Sequence, residues 1–453
     1  MIPANKYNVS VPRYTSYPPA NYFEPMDSTS YLKAIEDSNQ VGSKKLSFYF
    51  HFPFCRRLCH YCGCNSYMMP QDKSQVARYV DALHHEIDLV AKHLDPTRPI
   101  SQIHYGGGSP SVLPTSILQE LNEHILSLFP KIEKPEIAIE CHPGYLSAAD
   151  WEALCNSHFT RFSIGVQDTD EKVLKAVGRT PSQMPIPEIV SILHAHGATV
   201  NTDFLYGLPY QTPDTFVQDI QKTIEVRPER LVTFSYGHVP WVFKRQQVLE
   251  KIGLPQPEVK QQMYDKAAQM LHEAGYQSIG LDHFVLPEDE LYQALQNGQL
   301  YRNFQGYCTR RTTGQVYAFG VTGISQLDSF YAQNTKSIEE YLVATENDTL
   351  STAKGYQLTP EQRIVKEVIE RLMCNYRIQW AHIAKDLGIT IEQVKAALHY
   401  DAVQLQEMAD DGIMNLTHEG ITMTTEGHPF VRNVAAALDP LMVHTDKKFS
   451  KPI

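Results

Sequence analysis

The sequence predicts an α/β protein: a partial, TIM-like parallel (β/α)6 barrel with an N-terminal cover segment and a mainly helical, winged-helix-like C-terminal domain. Three observations carry this. Between residues 46 and 236, six β-rich runs (LSFYFHF, QIHYGGG, EIAIEC, RFSIGVQ, TVNTDFLYG and RLVTFSYG) alternate with helical patterns. Polar or conformationally special residues gather at the C-terminal ends of those runs. After about residue 355 the alternation gives way to helices and a closing hairpin.

The segment after the first run shows what separates the strands. Val76, Val80, Leu83, Ile87, Val90 and Leu94 recur at helical spacing, so an amphipathic helix covers the sheet. Similar patterns at 116–129, 186–196 and 214–226 make the repeating unit βα, which implies parallel strands. A flat doubly wound sheet is the competing arrangement. The barrel is favoured because the Cys55 loop, Gly106 to Gly108, Glu140, Gln167, Asp203 and Tyr236-Gly237 stand at or near successive strand ends, where barrel loops converge on one mouth.

Further on, helices are expected at 360–374, 380–387 and 390–408, followed by strands near 413–416 and 421–424. The boundaries drawn are a cover at 1–40, a catalytic domain at 41–355 with its core at about 46–240, and a helical domain at 356–453. The winged-helix order raises DNA binding, but residues 361–432 hold eleven acidic and seven basic side chains. That balance argues for packing against the barrel instead. In the cover, PRYTSYPP offers Arg13, Tyr14 and Tyr17 to fold over a ligand.

The chain of 453 residues has 42% hydrophobic and 20% charged residues, an ordinary globular composition, and a net charge of −11. That charge excludes general binding to nucleic acid or anionic membranes, while leaving room for a local basic pocket. No membrane span or signal peptide is readable, so the cytoplasm is the expected location. Eight cysteines are too few for a disulfide scaffold, yet Cys55, Cys59, Cys62 and Cys64 fall together, which points to metal.

Cys55, Cys59 and Cys62 have the spacing CxxxCxxC directly after a strand. Three thiolates on one tight loop can hold three irons of a 4Fe–4S cluster and leave the fourth open to ligand. The competing readings are a zinc site, which normally needs a second distant pair, and an electron-transfer cluster with Cys64 as fourth ligand. YGGGSP gives either a tight turn or free backbone amides for a ligand. Glu140 is a site carboxylate or a satisfied structural one. Gln167, Asp168, Arg179 and Asp203 are polar groups suited to ribose hydroxyls or carboxylates. His104, His194 and His196 share no motif and read as surface or core residues.

PRYTSYPP, YFHFPFCRRLCHYCGCN, YGGGSPS, GVQD, DFLYGLPYQTP, HVPWVF, GLDHF and RNFQGY occur in matching order in the oxygen-independent coproporphyrinogen III oxidases of the radical S-adenosylmethionine superfamily, which this sequence resembles from residue 12 almost to its end. The resemblance implies a 4Fe–4S cluster and two S-adenosylmethionine molecules. It places Tyr49, Gly107, Glu140, Gly237 and Ile324 at the cluster-bound molecule, and Tyr61, Gly108, Ser109, Gln167, Arg179 and Asp203 at the second. Cys55, Cys59 and Cys62 become the metal ligands; Tyr49, Glu140, Arg179 and the neighbouring Cys64 form the catalytic set.

The implied reaction is oxidative decarboxylation of two propionates of coproporphyrinogen III to vinyl groups, giving protoporphyrinogen IX in haem synthesis. A 5′-deoxyadenosyl radical removes hydrogen from the propionate β-carbon. A low-potential electron donor and a terminal electron acceptor are the expected partners of a monomeric enzyme. Arg13, Arg179 or the Arg310-Arg311 pair would neutralise substrate carboxylates. Two relatives with other outcomes are a haem chaperone and an anaerobic haem-degrading methyltransferase; CGCN and PRYTSYP argue against the chaperone. Departures from the family pattern are His142 in place of a familiar Asp, Gly237 in place of Ala, and the charged segment after RNFQGY.

Overall fold

The structure, a computed structural model, describes residues 2–449. Six parallel strands alternate with covering helices: β1 (Leu46–Phe52), α1 (Lys73–Ala91), β2 (Ile100–Gly107), α2 (Thr115–Leu128), β3 (Lys131–Cys141), α3 (Ala148–Cys155), β4 (Arg161–Gln167), α4 (Ile186–Ala195), β5 (Thr199–Tyr206), α5 (Pro213–Val226) and β6 (Arg230–Ser235). They lie in sequential order within one sheet. A seventh parallel strand, β7 (Gln315–Phe319), adds on the outer side of β1, with Tyr317 opposite Phe48. Antiparallel strands extend both ends, so the order runs from Glu24–Pro25 to Gln277–Ile279 without ring closure.

The helices form where the apolar spacing places them. In α1, Val80, Leu83, Ile87 and Val90 are buried against the sheet, and Asp72 caps the first turn by accepting from the Ser74 amide at 2.9 Å. Thr212 and Thr215 form a reciprocal capping pair at the start of α5. No helix among the described residues is long and apolar enough to cross a membrane.

Two large hydrophobic cores, with two smaller clusters beside them, organise the chain. The larger joins the sheet to its helices and includes Tyr31 and Ile35 from the helix Ser28–Asp37. The second joins Tyr7, Val11, Tyr14, Tyr17 and Phe23 to the C-terminal helices. Packing therefore divides the first forty residues: the beginning belongs to the C-terminal unit and the helix to the barrel. Strand Thr352–Gln357 crosses the boundary drawn at 355 and pairs with both Phe330–Asn334 and Glu24–Pro25. Residues 450–453 of the assigned C-terminal unit lie outside the described residues.

The C-terminal unit contains helices Pro360–Asn375 and Trp380–Leu387 and a three-stranded sheet of Arg377–Gln379, Gly420–Met423 and Met414–Leu416. The helix expected at 390–408 is two helices, Ile391–Ala397 and Ala402–Asp410. Asp401 breaks the run by accepting from the Val403 and Gln404 amides, and the His399 amide is drawn off to the Leu438 carbonyl. Helix Val431–Leu438 closes the unit.

Glu86 of α1 is fully buried and accepts from the Gly320 amide, Asn334 and Tyr341 at 2.7 to 2.8 Å, fixing the turn after β7. Burial outweighs those bonds and raises its carboxyl to about 7. The folded chain thus holds a proton here that the unfolded chain releases above about pH 4.5, and stability falls as pH rises toward 7. Glu86→Gln lacks that dependence. Its stability relative to the parent improves by about 3 kcal/mol between pH 4.5 and pH 8, read from urea unfolding.

Candidate active site

The cysteine loop leaves the sheet at the end of β1 and returns on itself, because Phe54–Cys55 pairs in parallel with Tyr67–Met68. Neighbours supply the hydrogen bonds that the irregular backbone lacks. The His60 amide donates to the Val177 carbonyl at 2.9 Å, Gln246 donates to the Tyr61 carbonyl at 3.0 Å, and Arg245 Nη2 donates to the Cys62 carbonyl at 2.8 Å.

Cys55, Cys59, Cys62 and Cys64 carry free thiols and line one cavity of about 340 Å³. The Cys64 amide donates to Cys62 Sγ at 3.4 Å, and Arg179 Nη1 lies 3.8 Å from Cys59 Sγ. Such donors stabilise thiolate. Among the described residues, no group of three or more His, Cys, Asp or Glu closes around a single metal ion.

The glycines do not form a loose turn, since β2 continues through Gly107. Their missing side chains let other groups approach: a Cβ on Gly106 would stand 2.7 Å from Glu140 Oε1, and one on Gly107 (φ +112°) would stand 2.7 Å from the His51 ring. The expected free amides are not free. Gly108 and Ser109 donate to the Phe52 and Phe54 carbonyls at 2.6 and 3.1 Å, and so anchor the cysteine loop; the Gly107 amide reaches Glu140 Oε2 at 3.4 Å.

Glu140 is held by His104, whose Nε2 is 3.0 Å from Oε1. Tyr49 stands beside Glu140 and Cys64, whose charges add to burial in pushing its phenol well above the ordinary value. Its hydroxyl is 3.1 Å from His51 Nδ1. Asp203 accepts from Ser163 at 2.6 Å and Asn201 at 2.8 Å, while burial raises its carboxyl. Arg179 is buried, donates to Tyr61 Oη at 3.1 Å and also bonds the Gly165 carbonyl. Gln167 has left-handed backbone (φ +69°), and its buried Oε1 has no partner among the described residues.

The cavity wall includes Tyr61, Gly107, Gly108, Ser109, Glu140, Gln167, Arg179 and Asp203. Tyr49 stands just behind it. Gly237 and Ile324 are not part of the wall: Gly237 is exposed after β6, and Ile324 opens the strand following the Gly320 turn. Asp168 points elsewhere, accepting from Gln211 at 2.7 Å.

Three comparisons bear on this arrangement. The radical SAM superfamily pattern matches residues 49–223. Oxygen-independent coproporphyrinogen III oxidases of Synechocystis sp. and Pseudomonas aeruginosa are 34% and 35% identical to the chain, each alignment covering 99% of it and 97% of the relative. The solved structure of coproporphyrinogen III oxidase from Escherichia coli, described as a radical SAM enzyme, superposes with a TM-score of 0.85 at 33% identity, covering 94% of this chain and 97% of that one. This chain belongs to the oxygen-independent coproporphyrinogen III oxidase family.

Against that family background, the departures acquire locations. His142 lines the cavity, its Nδ1 accepts from the Gly144 amide at 3.0 Å, and its buried Nε2 has no partner among the described residues. Burial, with the charge of Arg179, lowers its pKa to about 2, so the ring is neutral and, with Nδ1 accepting, carries its proton on Nε2. The Arg310-Arg311 pair does not reach the cavity: Arg310 binds Glu367 at 2.9 Å and Arg311 binds Glu290 at 2.7 Å. Tyr14 and Tyr17 are likewise engaged, both donating to buried Asp439 at 2.9 and 3.0 Å. Of that motif's three candidates, Arg13 alone is exposed.

Sequence reasoning missed the wall deeper in the barrel, including His104, Arg161, Asn201, Arg230 and His283. The signal was alternation. Arg161, Ser163, Gly165 and Gln167 on β4, and Arg230, Val232 and Phe234 on β6, share inward faces. Glu136 balances the two arginines, 3.0 Å from Arg161 Nε and 3.7 Å from Arg230 Nη1. Burial alone would raise its carboxyl, but Arg161 and Arg230 hold it at about 2. Glu136→Gln leaves buried guanidiniums short of their counter-charge, with an expected loss of about 3–5 kcal/mol and a lower urea midpoint at unchanged slope.

Proposed function

We propose that this chain converts two propionate side chains of coproporphyrinogen III to vinyl groups, giving protoporphyrinogen IX, with a 4Fe–4S cluster on Cys55, Cys59 and Cys62 and two S-adenosylmethionine molecules. The observation that carries the reading is one cavity where three free thiols meet Glu140 on one side and Gln167, Arg179 and Asp203 on the other, in a full-length member of the oxidase family. Family membership favours this chemistry over haem delivery or haem degradation.

Held by Cys55, Cys59 and Cys62, a cluster would supply the electron for reductive cleavage of S-adenosylmethionine, and so the means of abstracting a hydrogen atom from the propionate β-carbon. The chain's own groups bind and orient. Glu140, kept in place by His104 and the Gly107 amide, is the acceptor for a ligand ammonium. Asp203 offers its carboxyl to hydroxyl groups, and the Arg179 guanidinium is suited to a carboxylate. His142 adds a neutral donor on the same wall.

The direct test is anaerobic turnover of coproporphyrinogen III by the reconstituted protein with S-adenosylmethionine and a reductant. Protoporphyrinogen IX and 5′-deoxyadenosine are the expected products; methionine release without porphyrinogen product would sink the substrate assignment. Equilibrium dialysis with radiolabelled S-adenosylmethionine tests the pair of cofactors. The parent should bind two molecules and Arg179→Ala one; a parent that saturates at one would overturn the second site.

A further inference from the structure

We propose that a small, acidic, low-potential electron-transfer protein docks on the outside of the cysteine loop, on a patch centred on Trp241 and Val242 with Lys244 beside them in the chain, the loop's own Arg56 and Arg57 adding positive charge. This rests on the cluster reading above and specifies where its electron enters.

The first observation is exposed apolar surface in an unusual place. Trp241 is 78% exposed and Val242 60%, although large apolar groups normally leave the surface when packing allows. The turn that carries them is built, not loose. The Val242 and Phe243 amides donate to the Val239 carbonyl at 2.9 and 3.1 Å, and the Val239 amide donates to Gln246 Oε1 at 2.6 Å. The two side chains are therefore held out into solvent.

The second observation is attachment. The same turn grips the cysteine loop: Arg245 donates to the Cys62 carbonyl, Gln246 donates to the Tyr61 carbonyl, and the Phe243 ring would lie 3.4 Å from a Cβ placed on Gly63. The exposed pair thus belongs to the turn whose Phe243, Arg245 and Gln246 meet the backbone of a proposed cluster ligand. Cys64 and Gly63 are themselves exposed there.

The third observation is charge. Residues 53–71 hold Arg56 and Arg57 and no Asp or Glu; residues 236–249 hold Lys244 and Arg245 and again no acid. Arg56, Arg57 and Lys244 are exposed. Glu250, the next acid along, is 2.8 Å from His238. A loop and a turn that together hold four Lys or Arg and no Asp or Glu, on a chain of net charge −11, favour the approach of an acidic partner there. Redox encounters bury little area, on the order of 1,200 Å² or less, so an apolar centre with a charged rim is sufficient. One electron leaves the partner's reduced flavin or iron–sulfur centre and one enters the cluster; no bond is made or broken.

The test uses the reconstituted holoprotein under anaerobic conditions, with cluster bleaching followed by stopped flow. The reductant is either a reduced flavodoxin of net negative charge or dithionite. In the parent, reduction by flavodoxin should be second order and slow as salt rises. Trp241→Glu and Lys244→Glu should each slow it about tenfold or more, lose much of the salt dependence, and leave dithionite reduction unchanged. Parental rates in both variants with flavodoxin, no reduction of the parent by flavodoxin, or equal slowing with dithionite would each overturn the docking site. A parent whose centre dithionite cannot reduce would instead sink the cluster reading itself, and this proposal with it.

Discussion

The constraint on which the site depends is that the loop bearing Cys55, Cys59 and Cys62 cannot satisfy its own backbone. A segment that must present three thiols to one point cannot also run as a ladder strand, and its polar groups still need partners. They come from elsewhere: from the glycine run after β2, from the segment at Val177, and from Arg245 and Gln246 after β6. The thiols are therefore positioned by strands far apart in sequence. Gly108 and Ser109 illustrate the exchange, since their amides fix the loop from the adjacent strand end and their lack of bulk or small size lets the loop come close.

The interior of the barrel follows a different rule from a closed barrel packed with branched apolar side chains. Here the inward faces carry Gln102, Glu136, His104, Arg161, Asn201 and Arg230. Gln102 donates to Glu136 at 2.8 Å, and Arg161 reaches from Glu136 toward His104. His104 then meets Glu140 at the rim. Charge is neutralised deep in the barrel, where Glu136 and Asp289 face the arginines, while Glu140 and Asp203 remain as the acidic groups of the mouth. The raised carboxyl of Asp203 is a consequence of that burial, and Ser163 and Asn201 offset part of it.

Much of this was legible from the chain alone because strand and helix periods are local signals. The six parallel strands and their helices lie where the β-rich runs and the 3.6-residue spacing place them. The spacing of Cys55, Cys59 and Cys62 likewise needs only one loop to bring them to one cavity. β7 was not legible, because its place beside β1 is set by a contact across more than 260 residues. The freedom of the Gly108 and Ser109 amides was misjudged for a related reason: glycine reveals backbone permissiveness, not which carbonyl will arrive opposite. Arg310 and Arg311 read as substrate-binding cations only until Glu367 and Glu290, distant in sequence, are seen to meet them.

The same dependence on distant partners explains the N-terminal segment. Tyr14 and Tyr17 read, with Arg13, as residues to fold over a ligand, but both are buried, and buried aromatic hydroxyls need acceptors. Asp439 accepts from both, and its own carboxyl is raised because burial outweighs the bonds it receives. Tyr331 then donates to the Tyr17 carbonyl at 3.0 Å, and its ring stacks on Phe23 at 5.4 Å, tying the segment to the antiparallel extension of the barrel sheet. The motif is thus first a clasp between the two ends of the chain and the strand that leads away from the site. The clasp joins residues more than 400 positions apart, and exposed Arg13 of that motif is one of the charges that lower the Asp282 carboxyl.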